Sequence, residues 1–272
     1  MLRRTLKRLT HQSNPLQDRW DYFQDNAAAS LAAAGLIQGV PEDKLRDTSF
    51  LENELIPALG LNNENLNEQP RELSAFMGKG LHIFQYPNQL ARYLTWLADH
   101  ARETASYVEI GSRWGGTFIV VCEWLRRIGA PLTSALAIDP IGETPMIKHY
   151  GTTLLEQGVA YQFLQDFSTS HAVQALFEER CPDFVFIDGD HSMKGALADH
   201  MLARRYAKII VHHDIFSDAC PETTALWKAL KELEAGEFIA KEFIEQYPSV
   251  KGSFLGIGAF EKINMEAPAS KG

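Results

Sequence analysis

Two hydrophobic periods run along the chain, and the change between them falls near Pro87. Beyond it, Leu90, Leu94, Leu97 and Ala101 recur at helical spacing, with Pro87 suited to a first helical turn. Five short, nearly unbroken apolar runs follow, at Tyr107–Ile110, Ser134–Ile138, Ala160–Leu164, Phe184–Ile187 and Lys208–Val211, with helical stretches between them. Strands apolar on both sides and alternating with helices indicate a mostly parallel sheet covered on both faces. A final pair, Glu237–Gln246 and Phe254–Phe260, is linked across the short segment Pro248–Gly252, which suits an antiparallel hairpin better than another crossover. The pattern predicts an α/β fold: a doubly wound sheet, mostly parallel, with an antiparallel last strand.

Residues 1–80 read as a helical N-terminal extension, a lid or an oligomer contact, ahead of a sheet domain over residues 81–264 and a disordered tail over 265–272. Asp25–Gly35 is an alanine-rich helix with Asp25 or Asn26 as cap and Gly35 as its stop. A second helix covers Phe50–Leu59, and the polar stretch Asn62–Pro70 is the linker candidate. The start, Met1–Thr10, is basic and amphipathic with no apolar core after it. It reads as a docking helix in preference to a targeting segment.

A net charge of −9 argues against a general nucleic-acid binder, which needs a basic face to neutralise phosphates, and leaves room for a local basic patch. No apolar run approaches the roughly 18–20 residues of a membrane span, so no membrane partner is expected. Three cysteines, Cys122, Cys181 and Cys220, show no paired spacing, which fits a reducing, cytoplasmic setting. A homodimer is left open.

The candidate chemistry sits where the strands end. Tyr107–Ile110 breaks at Gly111 into Gly111-Ser-Arg-Trp-Gly-Gly-Thr117, and a helix then runs from about Thr117 to Arg127. That order sets free backbone N–H groups and a positive helix end beside open space at a strand's carboxyl end. Glu109 can accept hydrogen bonds from a hydroxyl or an ammonium. The second strand ends in Asp139, the third in Asp166, the fourth in Asp188 and the fifth in His212-His-Asp214. One acid after a strand is usually a cap or a turn residue; an acid after each of four successive strands is harder to dismiss as capping. An acid after the second strand can hold a ribose diol. One after the third can meet an adenine amino group, with Phe167 near enough in sequence to stack on a ring.

Val108-Glu-Ile-Gly-Ser-Arg-Trp-Gly-Gly-Thr117, Ala137-Ile-Asp139 and Phe186-Ile-Asp-Gly-Asp-His191 together resemble the class I S-adenosylmethionine-dependent methyltransferases, over roughly residues 85–262. The resemblance implies a Rossmann-like sheet and S-adenosylmethionine as cofactor. It implies a cofactor site of Glu109, Gly111, Ser112, Arg113, Gly115, Thr117, Asp139, Asp166 and Phe167. The segment Phe186–Ser192 with His212–Ile215 more closely resembles a family of small bacterial methyltransferases and is similar to cephalosporin-hydroxylase-like proteins. Catechol and caffeoyl-coenzyme A O-methyltransferases are similar at Glu109, Gly111, Gly115 and Thr117, and they hold a magnesium ion by acids after their fourth and fifth strands. That likeness implies Asp188 and Asp214 as ligands of Mg2+ or another divalent cation. Ile215 stands where those enzymes carry an asparagine ligand, and His213 is the substitute. His191 occupies the place of their lysine base, which makes His191 and Asp188 the catalytic candidates, with Asp190 orienting the histidine or joining the ligands.

The expected activity is methyl transfer to a hydroxyl of a small-molecule acceptor, a natural product, sugar or phenolic. Other classes stay open. A nicotinamide oxidoreductase needs glycine where Arg113 stands and an acid nearer than Asp139. A metal-dependent hydroxylase would use Asp188, His191, His213 and Asp214, a suitable nitrogen and oxygen set for zinc, iron or manganese. A non-catalytic module would keep only the pocket. Trp114 either covers the donor or shields the turn, and residues 140–149 are suited to closing over the adenosine. His212 is expected to point away from His213 if the strand extends that far.

Overall fold

The computed structural model describes residues 15–63 and 69–263. The basic start, the expected tail at 265–272 and residues 64–68 of the expected linker lie outside them. The chain begins with helices α1 (Pro15–Asp25) and α2 (Ala29–Gln38). Helix α3 (Thr48–Phe50) then runs through a π-turn, Leu51–Leu55, into α4 (Ile56–Leu59), and α5 (Pro87–His100) follows. Then strands and helices alternate: β1 (Ser106–Ile110), α6 (Gly116–Arg127), β2 (Ser134–Ile138), α7 (Pro145–Glu156), β3 (Ala160–Leu164), α8 (His171–Arg180), β4 (Phe184–Ile187), α9 (Met193–Arg204) and β5 (Ile209–His213). Helix α10 (Pro221–Leu233) and strands β6 (Phe238–Phe243) and β7 (Ile257–Lys262) complete it.

The seven strands lie in the order β3-β2-β1-β4-β5-β7-β6. β1 to β5 are parallel, and β7 slots antiparallel between β5 and β6. This is the Rossmann-like doubly wound architecture that the hydrophobic pattern predicts. Alternation along each strand explains how both faces are apolar. Tyr107, Ala135, Ala137, Phe184 and Phe186 face one core with Phe118, Trp124 and Leu94. Val108, Ile110, Leu136, Val185 and Ile187 face the other, with Phe177, Leu202 and Trp227. The first core also takes in Phe23, Ile37, Leu51, Ile56 and Leu61 from the segment ahead of α5. Burying a side chain of this size stabilises by about 1.5–3 kcal/mol, so these helices share one core with that face of the sheet.

Several boundaries differ from the pattern in the sequence, among them the end of β6, which stops at Phe243 where the pattern runs to Gln246. The alanine-rich helix starts at Ala29, with no side-chain cap, and Gly35 lies inside it. Asn26 instead donates from its side chain to the Tyr22 carbonyl at 2.9 Å and closes the end of α1. Burial of Ala33 and Ile37 one turn apart carries α2 through Gly35. The last strand begins at Ile257, not Phe254, because Leu255 and Gly256 both adopt positive φ, 62° and 97°, which no strand residue can keep. The β6–β7 connection is correspondingly longer than expected. β5 persists to His213, paired with Ile257 of β7, so its two histidines face opposite sides. No helix among the described residues is long and apolar enough to cross a membrane.

Candidate functional site

The strand order reverses between β1 and β4, and a cleft of about 460 Å³ opens there at their carboxyl ends. This is where doubly wound sheets take their ligands, and the volume falls in the range of roughly 300–1,000 Å³ typical of ligand pockets. Glu109, Gly111, Ser112, Arg113, Gly115, Thr117, Asp139, Asp166, Phe167, Asp188, His191, His213 and Asp214 all line it. Residues from five separate strand ends thus meet in one place.

The floor is the turn after β1. Gly111 sits at φ 84°, and a Cβ there would lie 2.0 Å from the Asp188 carbonyl oxygen. The ends of β1 and β4 close on each other at that point, tied by the Asp188 amide donating to the Ile110 carbonyl at 2.8 Å. Gly115, at φ 89°, starts α6, and a Cβ on it would strike the Ile147 side chain. The Ser112 hydroxyl and Trp114 Nε1–H are buried with no hydrogen-bond partner among the described residues. Trp114 packs against Phe23, ring centroids 5.5 Å apart, so it seals the turn from the N-terminal side as well as lining the cleft.

Asp139 accepts from the backbone amides of Arg113 at 2.7 Å and Ile141 at 2.8 Å. Burial raises its pKa, and those two amides oppose the rise. Two of the roughly four lone-pair positions of its carboxylate remain for an incoming hydroxyl pair. Glu109 is buried and takes a short hydrogen bond from the Tyr107 hydroxyl. Burial pushes its carboxyl well above the ordinary range, against the pull of that bond. Asp166 accepts from the Phe167 amide at 2.8 Å, and Phe167, 68% exposed, lines the cleft.

Asp188, His191, His213 and Asp214 form one knot. Asp188 Oδ1 lies 3.2 Å from His191 Nε2 and 3.2 Å from His213 Nδ1, while Asp214 Oδ2 lies 3.4 Å from each histidine. Burial alone would raise the Asp188 pKa, but the two imidazoles overcome it and hold the carboxyl well below its usual range. The same pairing lifts His213 far above an ordinary histidine despite its burial. His191 is raised too, through its hydrogen bond with Asp188 and against partial burial. Asp188 does not cap α9. Ser192 does, accepting from the Gly195 amide, and Asp190 is occupied by the Ser192 amide at 2.9 Å. Ile215 is 2% exposed and packs in the core, so the position of the asparagine ligand is apolar. His212 faces away, 3.0 Å from His200 on the opposite side of the sheet.

Ligand atoms of Asp188, His213 and Asp214 lie within 4.8 Å of one another, as do those of His191, Asp214 and Cys220. Among the described residues His213 Nδ1 is buried facing the Asp188 and Asp214 carboxylates at 3.2 and 3.4 Å without a well-formed hydrogen bond to either, an arrangement that a cation between these groups would satisfy. The donor set therefore fits a divalent cation. Cys220, whose thiol is pushed up to about 12 by burial and by Asp214, is one residue the sequence reading left out. Others are His82 and Phe84, which wall the cleft, and Gln85, 2.6 Å from His213. No spacing rule connects residues 82–85 to a strand end more than 100 positions later.

Beneath the cleft, Asp199 on α9 is buried, and its Oδ2 has no hydrogen-bond partner among the described residues. Burial pushes its pKa up to about 6, Ser168 opposing and Asp190 assisting. The native state thus holds this proton more tightly than the unfolded chain. The group stabilises fully below about pH 4, and that contribution is lost as pH rises through about 6, a difference on the order of 2–3 kcal/mol. Asp199→Asn is expected to raise the unfolding temperature at pH 8 and leave it nearly unchanged at pH 4. Equal shifts in thermal scans at both pH values would show that burial does not perturb this carboxyl.

Residues 108–215 match the family model described as a methyltransferase domain. Among solved structures, the chain is similar to cofactor-bound Rv0187 from MTB, with 20% identity, 93% of this chain and 99% of that chain covered, and a TM-score of 0.46. It is also similar to the O-methyltransferase TomG from Streptomyces achromogenes, involved in tomaymycin synthesis and solved with SAM, at 14% identity, 82% and 99% coverage and a TM-score of 0.45. A third is the O-methyltransferase from Bacillus cereus in complex with SAH, at 16% identity, 94% and 94% coverage and a TM-score of 0.41. No curated protein matches the chain.

Proposed function

We propose that the protein is an S-adenosylmethionine-dependent methyltransferase that acts on a hydroxyl of a small molecule, assisted by a divalent cation. The observation behind this reading is the charge and shape of the cleft, where a glycine turn opens beside Asp139, Asp166, Asp188, Asp190 and Asp214 with Arg113 as the one lysine or arginine among the lining residues. A sulfonium ligand that also carries an ammonium is suited to such a field, whereas the pyrophosphate of a dinucleotide would be repelled by it. The match of residues 108–215 to a methyltransferase domain supports the same reading.

In this assignment Asp139 takes the ribose hydroxyls, and Asp166 and Phe167 take the adenine edge and face. The amides after Gly111 and the start of α6 take the methionyl carboxylate. Bound S-adenosylmethionine supplies an electrophilic methyl carbon for in-line displacement. Asp188, His213 and Asp214 would hold the cation, which lowers the pKa of a hydroxyl bound to it. His191, within reach of Asp188 and Asp214 and 44% exposed at its side chain, accepts the acceptor's proton. The acidic cleft and the net charge of −9 favour a sugar, phenolic or other natural-product acceptor over a nucleic acid.

Thermal-shift titration tests the reading. S-adenosylhomocysteine at about 100 times its dissociation constant stabilises by about 2.7 kcal/mol, and for a chain of this size that is a rise of roughly 5–10 °C. A rise with NAD and none with S-adenosylhomocysteine would overturn the assignment.

A further inference from the structure

Behind His213 runs a chain of hydrogen bonds whose direction is fixed from one end. It starts at the backbone N–H of Gly256, just before β7, which donates to Gln89 Oε1 at 3.3 Å. A backbone N–H can only donate, so the oxygen of the Gln89 amide, not its nitrogen, must face it. The same oxygen is the partner of Gln85 Nε2. An amide oxygen can only accept, so Gln85 must turn its amino group toward Gln89. Its own oxygen is then left facing His213 Nε2 at 2.6 Å. That ring nitrogen must therefore carry a proton. Side-chain amide and imidazole orientations are ordinarily inferred from a network that admits either sense, but here a main-chain donor sets the sense of every link. Gln89 is fully buried and Gln85 is 3% exposed, so solvent is kept from the relay.

We propose that Gln85 is a positioning residue that holds His213 with Nε2 protonated, so that Nδ1 is the atom His213 presents to the cleft. Nδ1 is the nitrogen that lies 3.2 Å from Asp188 Oδ1 and 3.4 Å from Asp214 Oδ2. The consequence for cation binding rests on the reading given under Proposed function. Metal-ligating histidines generally donate their second ring N–H to a carbonyl or carboxylate, which fixes ring orientation and tautomer. Gln85 supplies that acceptor from outside the sheet, in the residue before the N-cap of α5. An imidazole nitrogen beside two carboxylates, with the Cys220 thiol near Asp214, is a donor set for a borderline transition-metal ion more than for Mg2+. Zn2+ is accordingly the probe. The relay also ties His213 to the β6–β7 connection through Gly256.

The test compares the full chain as wild type, Gln85→Met and Gln85→Glu. Methionine keeps the bulk and removes the acceptor; glutamate keeps an acceptor oxygen against Nε2 and gives up only the donation to Gln89. Nitrogen-15 shifts of the His213 ring, recorded without metal at a pH where the ring is neutral, report the tautomer directly. Competition against a chelating dye reports Zn2+ affinity. The expected result is a pure Nε2–H ring in wild type and Gln85→Glu, and a mixture of tautomers in Gln85→Met. Zn2+ affinity in Gln85→Met is expected to fall about 10–100-fold, while Gln85→Glu retains it. If Gln85→Met does not fold, the wild-type tautomer alone decides, since a neutral ring protonated at Nδ1 overturns the proposal. It is also overturned if Gln85→Met keeps the pure Nε2–H ring and the Zn2+ affinity of wild type. Wild type that shows Nε2–H but takes up no Zn2+ refutes the cation reading and leaves the role of Gln85 standing.

Discussion

Gly111→Ala is expected to abolish binding of S-adenosylhomocysteine and to destabilise the fold by about 2–5 kcal/mol. Two effects combine. A residue with a Cβ held at positive φ costs about 1–2 kcal/mol, and Gly111 sits at 84°. Inserting an atom into a packed site typically costs a further 1–3 kcal/mol or so. Here the new atom would fall 2.0 Å from the Asp188 carbonyl oxygen, 2.4 Å from its carbon and 2.7 Å from Gly189 Cα. All three are backbone, so no side chain can swing aside to relieve the contact. Relief requires β1 and β4 to separate at their carboxyl ends, which displaces the turn and Asp188 together. Denaturant unfolding with a ligand titration on the same sample measures both effects. A variant that unfolds at the wild-type midpoint and still binds S-adenosylhomocysteine would mean that the strand ends are not packed as described.

His191→Ala is expected to lower methyl transfer about 10²–10⁴-fold, the usual contribution of a general base, while S-adenosylhomocysteine binding is unchanged. The separation of effects follows from position. His191 lies beyond Asp188 on the loop leading into α9, on the far side of the cleft from Asp139 and Phe167. Its neutral form is the one able to accept a proton, and its pKa in the free protein lies above the ordinary histidine value, chiefly because of its hydrogen bond to Asp188. Activity of the wild type is therefore expected to fall as pH drops through a value above about 6.5, read from kcat/KM. Loss of both binding and turnover in the variant would place His191 in the cofactor site instead.

The parts of this site that follow a period were legible in the sequence. Strand ends are where an apolar run stops, so Asp139, Asp166, Asp188 and Asp214 could be placed at one edge of a sheet before any coordinates, and the cleft gathers all of them. The glycine turn was legible for the same reason, since few other turns put Gly111 and Gly115 between a buried strand and an apolar helix. Gln85 was not. Its partner His213 is 128 residues away, and nothing local distinguishes a relay glutamine from a solvated one. Cys220 read as an ordinary loop thiol because its approach to Asp214, 3.4 Å, depends on how the chain leaves β5 at the positive φ of Asp214. Helix α2 was misplaced because preferences for Asp and Asn as caps and Gly as a stop are worth about 1 kcal/mol each, less than the burial of Ala33 and Ile37 that fixes the true ends. The start of β7 was misjudged because Leu255 takes a conformation that leucine seldom adopts.

Methyl transfer at this cleft requires a single adenosyl ligand lying across these strand ends with its sulfur toward the histidines. A crystal structure of the complex with S-adenosylhomocysteine reads this directly. The predicted result is the ribose on Asp139, the adenine against Phe167 and the sulfur facing Asp188 and His191. Ligand density outside the cleft, or a sulfur turned toward Phe167 and away from Asp188, would contradict it.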